Sequence, residues 1–117
     1  MKRVLLVDDE PLALNALRRL LRADQHTWDM RFATSGESAL EELANGPADV
    51  VVTDMRMPGM DGAQLLEKVR DRYPDVLRII LSGHTEGDAA QRALGICHRY
   101  LAKPCDPIAL KSAIGGM

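Results

Sequence analysis

VLLVDDEP, residues 4–11, is an apolar run that halts at two adjacent aspartates. Four consecutive apolar residues without polar alternation read as a strand buried on both faces, the pattern of a parallel sheet covered by helices. Pro11 suits a first helical turn, where its missing N–H has no partner to lose, and Leu14, Leu17 and Leu21 follow on one face. The stretch therefore encodes a buried strand that passes through Asp8 and Asp9 into an amphipathic helix. Neighbouring carboxylates at a buried strand end repel each other, so something must compensate them.

The same unit recurs along the chain. Met30 to Ala33 is a weaker strand, and Ser35 caps a helix carrying Ala39, Leu40 and Leu43 that Asn45-Gly46-Pro47 ends. Val50-Val51-Val52 is a strand, followed by the loop from Asp54 to Met60. Asp61 with Gln64 three residues on makes a capping box for a helix with Leu65, Leu66 and Val69, stopped before Pro74. Val76 to Leu81 is β-branched and apolar, hence a strand. Thr85 to Leu94 is a helix weakened by Gly87, Tyr100 to Ala102 a short strand, and Asp106-Pro107 opens a last helix with Leu110 and Ile114. Five strand-helix units predict an α/β fold, a parallel sheet with helices on both faces.

Composition narrows the function. The 117 residues make one domain, 1–117, and 46% hydrophobic content supplies a core without staples, although aromatics are only 3%. A net charge of −2, with Arg18, Arg19, Arg22, Arg70 and Arg72 scattered and no aromatic platform among them, argues against direct nucleic-acid binding. No apolar run approaches the roughly 20 residues of a membrane span, and the run after Lys2 and Arg3 stops too soon for a signal peptide. Cys97 and Cys105 follow no disulfide or CxxC spacing, so reduced thiols in the cytoplasm are expected. A zinc site from Cys97, His98, Cys105 and His84 would match no common spacing.

The polar residues fall at telling places. Strand one ends at Asp8-Asp9, strand three at Asp54, strand four at Ser82 and strand five at Lys103. In an open parallel sheet these carboxyl ends share one edge, where ligands bind. Singly, each residue has an ordinary role as a cap, a turn residue or a solvated charge; jointly they make a site. Like charges at about 4 Å cost about 4 kcal/mol per pair at an effective dielectric of about 20. A divalent cation removes that cost, and all-oxygen donors point to Mg²⁺ first, with Mn²⁺ and Ca²⁺ next. Lys103 adds a point charge suited to phosphate, and one of the aspartates can accept a phosphoryl group covalently.

VLLVDDEP, VVVTDMRMPGMDG, IILSGH and YLAKPCDP together resemble the response-regulator receiver domain of two-component signalling, in order and spacing, from Lys2 to about Ile114. The resemblance implies a CheY-like, flavodoxin-like (βα)5 three-layer sandwich with strand order 2-1-3-4-5. It implies Asp54 as phosphoacceptor, with Asp8, Asp9, Asp54 and the backbone carbonyl of Arg56 around Mg²⁺. Ser82 and Tyr100 match the switch hydroxyl and aromatic, Lys103 the family lysine, and Lys103-Pro104 a cis peptide. Arg56 and His84, two positions beyond Asp54 and Ser82, would set the phosphoryl lifetime. The implied partners are a sensor histidine kinase and a C-terminal output domain beyond Met117, with a homodimer on phosphorylation.

Cys105 departs from the aromatic many relatives carry there. With Cys97-His98-Arg99-Tyr100 it resembles receivers joined to HDOD or HD-GYP output domains. The expected role is a signalling module rather than an enzyme, catalysing only its own phosphorylation and dephosphorylation. An aspartyl-phosphate phosphatase of similar fold needs a general acid where Arg56 stands. A flavin site would need a phosphate cradle where this chain has DDEPLA.

Overall fold

The computed structural model describes residues 2–21, 28–83, 88–103 and 106–115. Strands β1 (Lys2–Val7), β2 (Trp28–Ala33), β3 (Val50–Asp54), β4 (Leu77–Ser82) and β5 (Arg99–Ala102) alternate with helices α1 (Pro11–Leu20), α2 (Gly36–Asn45), α3 (Gly62–Arg72), α4 (Asp88–Leu94) and α5 (Pro107–Gly115). All strand pairings are parallel, in the order β2-β1-β3-β4-β5. The (βα)5 three-layer sandwich follows from side-chain parity. Leu5 and Val7 of β1, Val51 and Ile80 pack against Leu43 of α2, Leu66 and Val69 of α3 and Ala93 of α4. Val4 and Leu6, Val52 and Ile79 face the other way, onto Leu14 and Leu17 of α1 and Leu110 and Ile114 of α5. The unbroken apolar stretches of β1, β3 and β4 thus feed two cores, each covered by helices.

Local chemistry sets the helix starts. Ser35 and Ser38 form a reciprocal capping box at α2, with bonds of 3.0 and 3.2 Å. Asp61 and Gln64 do the same at α3, at 2.8 and 2.9 Å. Before α1, Asp8 Oδ1 accepts the Glu10 N–H at 3.0 Å, and before α5, Asp106 Oδ1 accepts the Ile108 N–H at 3.0 Å. The Ser35, Asp61 and Asp106 side chains thus satisfy donors that the first helical turn leaves without partners, whereas the Asp8 bond reaches only Glu10, the residue before α1.

Some boundaries move from the sequence expectation. β2 starts at Trp28, because Asp29 and Arg31 on this edge strand interrupt the apolar pattern; Arg31 instead donates to the carbonyls of Glu42, Gly46 and Pro47 at the end of α2. β4 runs from Leu77 through Ser82, and β5 includes Arg99. Of the helix expected over 85–94, residues 85–87 lie outside the described residues. Among the described residues, no helix is long and apolar enough to cross a membrane.

Candidate functional site

Chain direction reverses its lateral progress on either side of β1, since β2 and β3 flank it. The crevice at such a switch point is where open parallel sheets bind ligands, and β1 and β3 deliver Asp8 and Asp54 to it. Oxygen atoms of Asp8, Asp9 and Asp54 all lie within 4.8 Å of one another, the one such cluster among the described residues. Asp8 is only 3% exposed, whereas Asp9 and Asp54 reach partly into solvent.

β5 brings the counter-charge. Lys103 Nζ lies 2.8 Å from Asp54 Oδ1 and 3.5 Å from Asp8 Oδ2, so one ammonium bridges two carboxylates from two strands. Its backbone N–H donates to the Ser82 carbonyl at 2.8 Å, which fixes the ends of β4 and β5 to each other. Burial raises the Asp8 carboxyl pKa, and repulsion from Asp54 and Asp9 adds to that; the Glu10 N–H and Lys103 oppose it without cancelling it. Burial also disfavours the Lys103 charge, yet its hydrogen bond to Asp54 and the fields of Asp54 and Asp8 prevail, leaving its pKa raised. Three close carboxylates beside a single ammonium leave excess negative charge, and an all-oxygen set of this kind fits a hard divalent cation.

The remaining expected residues take these positions. Ser82 is buried at the end of β4, one strand over from Asp54, whose Cα partner is Leu81. Tyr100 is half-buried and packs against the α2-α3-α4 side of the core. Arg56 is exposed in the loop after Asp54, while its neighbours Met55 and Met57 are buried as loop packing. A Cβ on Gly36 would meet Met60 Sδ at 2.6 Å, so this loop rests directly on the head of α2. His84, Pro104 and Cys105 lie outside the described residues, and with them the lifetime role of His84, the Lys103-Pro104 cis peptide and any zinc set using Cys105. Cys97 is half-buried, and burial raises its thiol pKa, as for a small hydrophobe.

Sequence reasoning missed Arg78. It sits inside β4, only 9% exposed, and donates from Nε to the Ile96 carbonyl at 2.8 Å and from Nη1 to Pro74 and Val76 carbonyls at 3.5 Å. Burial lowers its pKa, as does nearby Arg70. A lone cation within an otherwise apolar run was the available signal. The imidazole of His98 completes this edge, its Nδ1 accepting the Arg78 backbone N–H at 2.9 Å.

Comparison with known proteins agrees with this geometry. The family model described as the response regulator receiver domain matches residues 4–115. The hydrogenase transcriptional regulatory protein HoxA of Cupriavidus necator is 36% identical over 107 residues, covering 89% of this chain. The DNA-binding transcriptional regulator NtrC of Escherichia coli is 42% identical over 73 residues, 62% of this chain. The chain spans 21% of the length of that HoxA and 16% of that NtrC. Among solved structures, the signal receiver domain of an HD domain-containing protein from Pseudomonas fluorescens Pf-5 superposes with a TM-score of 0.89 at 32% identity, covering 96% of this chain and 90% of that one. A CheY-like receiver domain from Methanospirillum hungatei gives 0.90 at 25% identity, covering 99% and 92%. An acidic crevice at the switch point, a lysine bridging it from β5 and a family match across nearly the whole sheet lead to one conclusion: this chain belongs to the response regulator receiver domains of two-component systems.

Proposed function

We propose that this domain accepts a phosphoryl group on Asp54 from the phosphohistidine of a sensor histidine kinase and relays that event to an output domain. The observation that carries the reading is the Lys103 ammonium bridging Asp54 and Asp8 inside the acidic cluster. In the transfer, a carboxylate oxygen of Asp54 forms a bond to phosphorus as the P–N bond of the donor breaks, and the imidazole nitrogen keeps the electron pair. Hydrolysis returns the carboxylate and releases inorganic phosphate. The domain is thus a signalling module rather than an enzyme with turnover on a separate substrate.

Asp8, Asp9, Asp54 and the Arg56 carbonyl would hold Mg²⁺, with Mn²⁺ as a substitute. When bound, the cation supplies positive charge to the phosphoryl oxygens. Lys103 orients and neutralises from the other side, so positioning and electrostatics provide most of the rate. Ser82, at the neighbouring strand end, donates to a new phosphoryl oxygen, a charge-assisted bond worth about 1.5–3 kcal/mol. That is enough to bias a two-state rearrangement of the β4-α4 connection, with Tyr100 following and the α4-β5-α5 face changing shape for a partner or a second copy. Arg56 and His84 tune the lifetime of the phosphoryl group.

The output is proposed to be of HD type, supported by the Pseudomonas fluorescens relative; a DNA-binding output is the alternative that HoxA and NtrC suggest. Acetyl phosphate with Mg²⁺ tests the chemistry. One phosphoryl group should add to the chain, be absent when EDTA is present, and be removed by hydroxylamine as an acyl phosphate. A label that survives hydroxylamine would reject it.

A further inference from the structure

We propose that the Asp61–Arg92 ion pair is a latch that joins α4 to the loop behind Asp54, so that the position of one sets the position of the other. This regulatory role rests on the phosphoacceptor reading of Asp54, although the coupling itself is a property of the unphosphorylated chain. Arg92 Nη2 of α4 lies 3.0 Å from Asp61 Oδ1 and 2.9 Å from Oδ2. The two residues are 31 positions apart in sequence, Asp61 capping α3 and Arg92 lying within α4.

Asp61 cannot absorb a pull by turning. Its Oδ1 also accepts the Gln64 N–H at 2.8 Å, while its own N–H donates to Gln64 Oε1 at 2.9 Å. Directly after it, the Gly62 N–H donates to the Met55 carbonyl at 2.8 Å. A Cβ on Gly62 would collide with the backbone carbonyl of Asp54, so the head of α3 packs straight onto the phosphoacceptor's peptide. Contacts therefore run without a gap from Asp54 through Gly62 and Asp61 to Arg92.

The far end of α4 is fixed differently. Ala93 is buried, its carbonyl accepts the N–H groups of Ile96 and Cys97, and the buried Arg78 guanidinium grips the Ile96 carbonyl. With that end held in the core, the half-exposed ion pair is the adjustable attachment, its side chains 45% and 29% accessible. Pairs of this exposure shift an equilibrium by no more than about fivefold, which suits a latch meant to open.

Amide hydrogen exchange of the unphosphorylated chain tests the latch in Arg92→Gln, Asp61→Ser and the double variant. Serine keeps a cap for α3 while removing the charge. Each single variant should exchange about two- to fivefold faster both in residues 91–94 and in residues 55–60. The double variant should be no faster than either single one. Wild type should approach the variants in 1 M salt, where charges are screened within about 3 Å. Acceleration confined to α4, or effects that add in the double variant, would overturn the latch. Failure of acetyl phosphate to label the wild type would instead overturn the reading of Asp54, with the exchange data still deciding the coupling.

Discussion

Lys103 Nζ sits 2.8 Å from Asp54 Oδ1, a contact between the ends of β5 and β3 across the strand that carries Ser82. Under the proposed phosphoacceptor role of Asp54, this ammonium supplies the positive charge that an incoming phosphoryl group needs. Lys103→Met should slow labelling by acetyl phosphate by about 10²-fold, the usual loss on removing one preorganised charge-stabilising donor. It should leave Mg²⁺-dependent stabilisation intact, since the carboxylates remain. Rates from intact-mass time courses, beside thermal midpoints with and without Mg²⁺, separate the two effects.

Asp8 is nearly buried, and its carboxyl is shifted toward the neutral form chiefly by burial. An uncharged isostere removes a desolvation cost. Asp8→Asn should therefore stabilise the metal-free protein and should lose part of the response to Mg²⁺. Denaturant midpoints in EDTA and in Mg²⁺ check both halves; a variant less stable than wild type in EDTA would contradict the account.

The acidic cluster should make stability depend on divalent cations. At Mg²⁺ concentrations about 100 times the dissociation constant, linkage adds about 2.7 kcal/mol. Asp9→Asn should flatten that dependence while leaving the midpoint in EDTA close to wild type, because Asp9 is less buried than Asp8. A midpoint series against Mg²⁺ concentration reads this directly.

His98 should make the other edge of the sheet sensitive to acid. Its Nδ1 accepts the Arg78 N–H, a bond that imidazolium cannot make. Burial, with repulsion from Arg78 and Arg99, lowers its pKa below the ordinary 6.5. A depressed histidine pKa contributes stability that is present above pH 6.5 and lost as pH falls through the folded-state value. His98→Asn keeps an acceptor that does not titrate. Wild type should therefore lose more stability than His98→Asn between about pH 7.5 and pH 5, measured as the difference in thermal midpoint.

The chain order of the fold was legible because β1, β3 and β4 each carry a short apolar run between turn signals, and because the Ser35 cap and the Asp61–Gln64 capping box mark the starts of α2 and α3. The convergence of Asp8, Asp9, Asp54 and Lys103 followed from one rule about strand ends, and the geometry agrees with it. Arg78 showed only as a lone cation in an apolar run, and its role was not legible because its partners are main-chain carbonyls, which leave no trace in residue identity. The Asp61–Arg92 pair was invisible for another reason, since ion pairs between helices depend on how α3 and α4 lie against each other. β2 was read short because an edge strand tolerates Asp29 and Arg31, which break the apolar run.

The central claim is that Asp54 is the group modified. Intact-mass spectrometry after incubation with acetyl phosphate and Mg²⁺, run in parallel on wild type and Asp54→Ala, tests it most directly. Wild type should gain one phosphoryl group and Asp54→Ala none. Equal labelling of both chains would contradict the account.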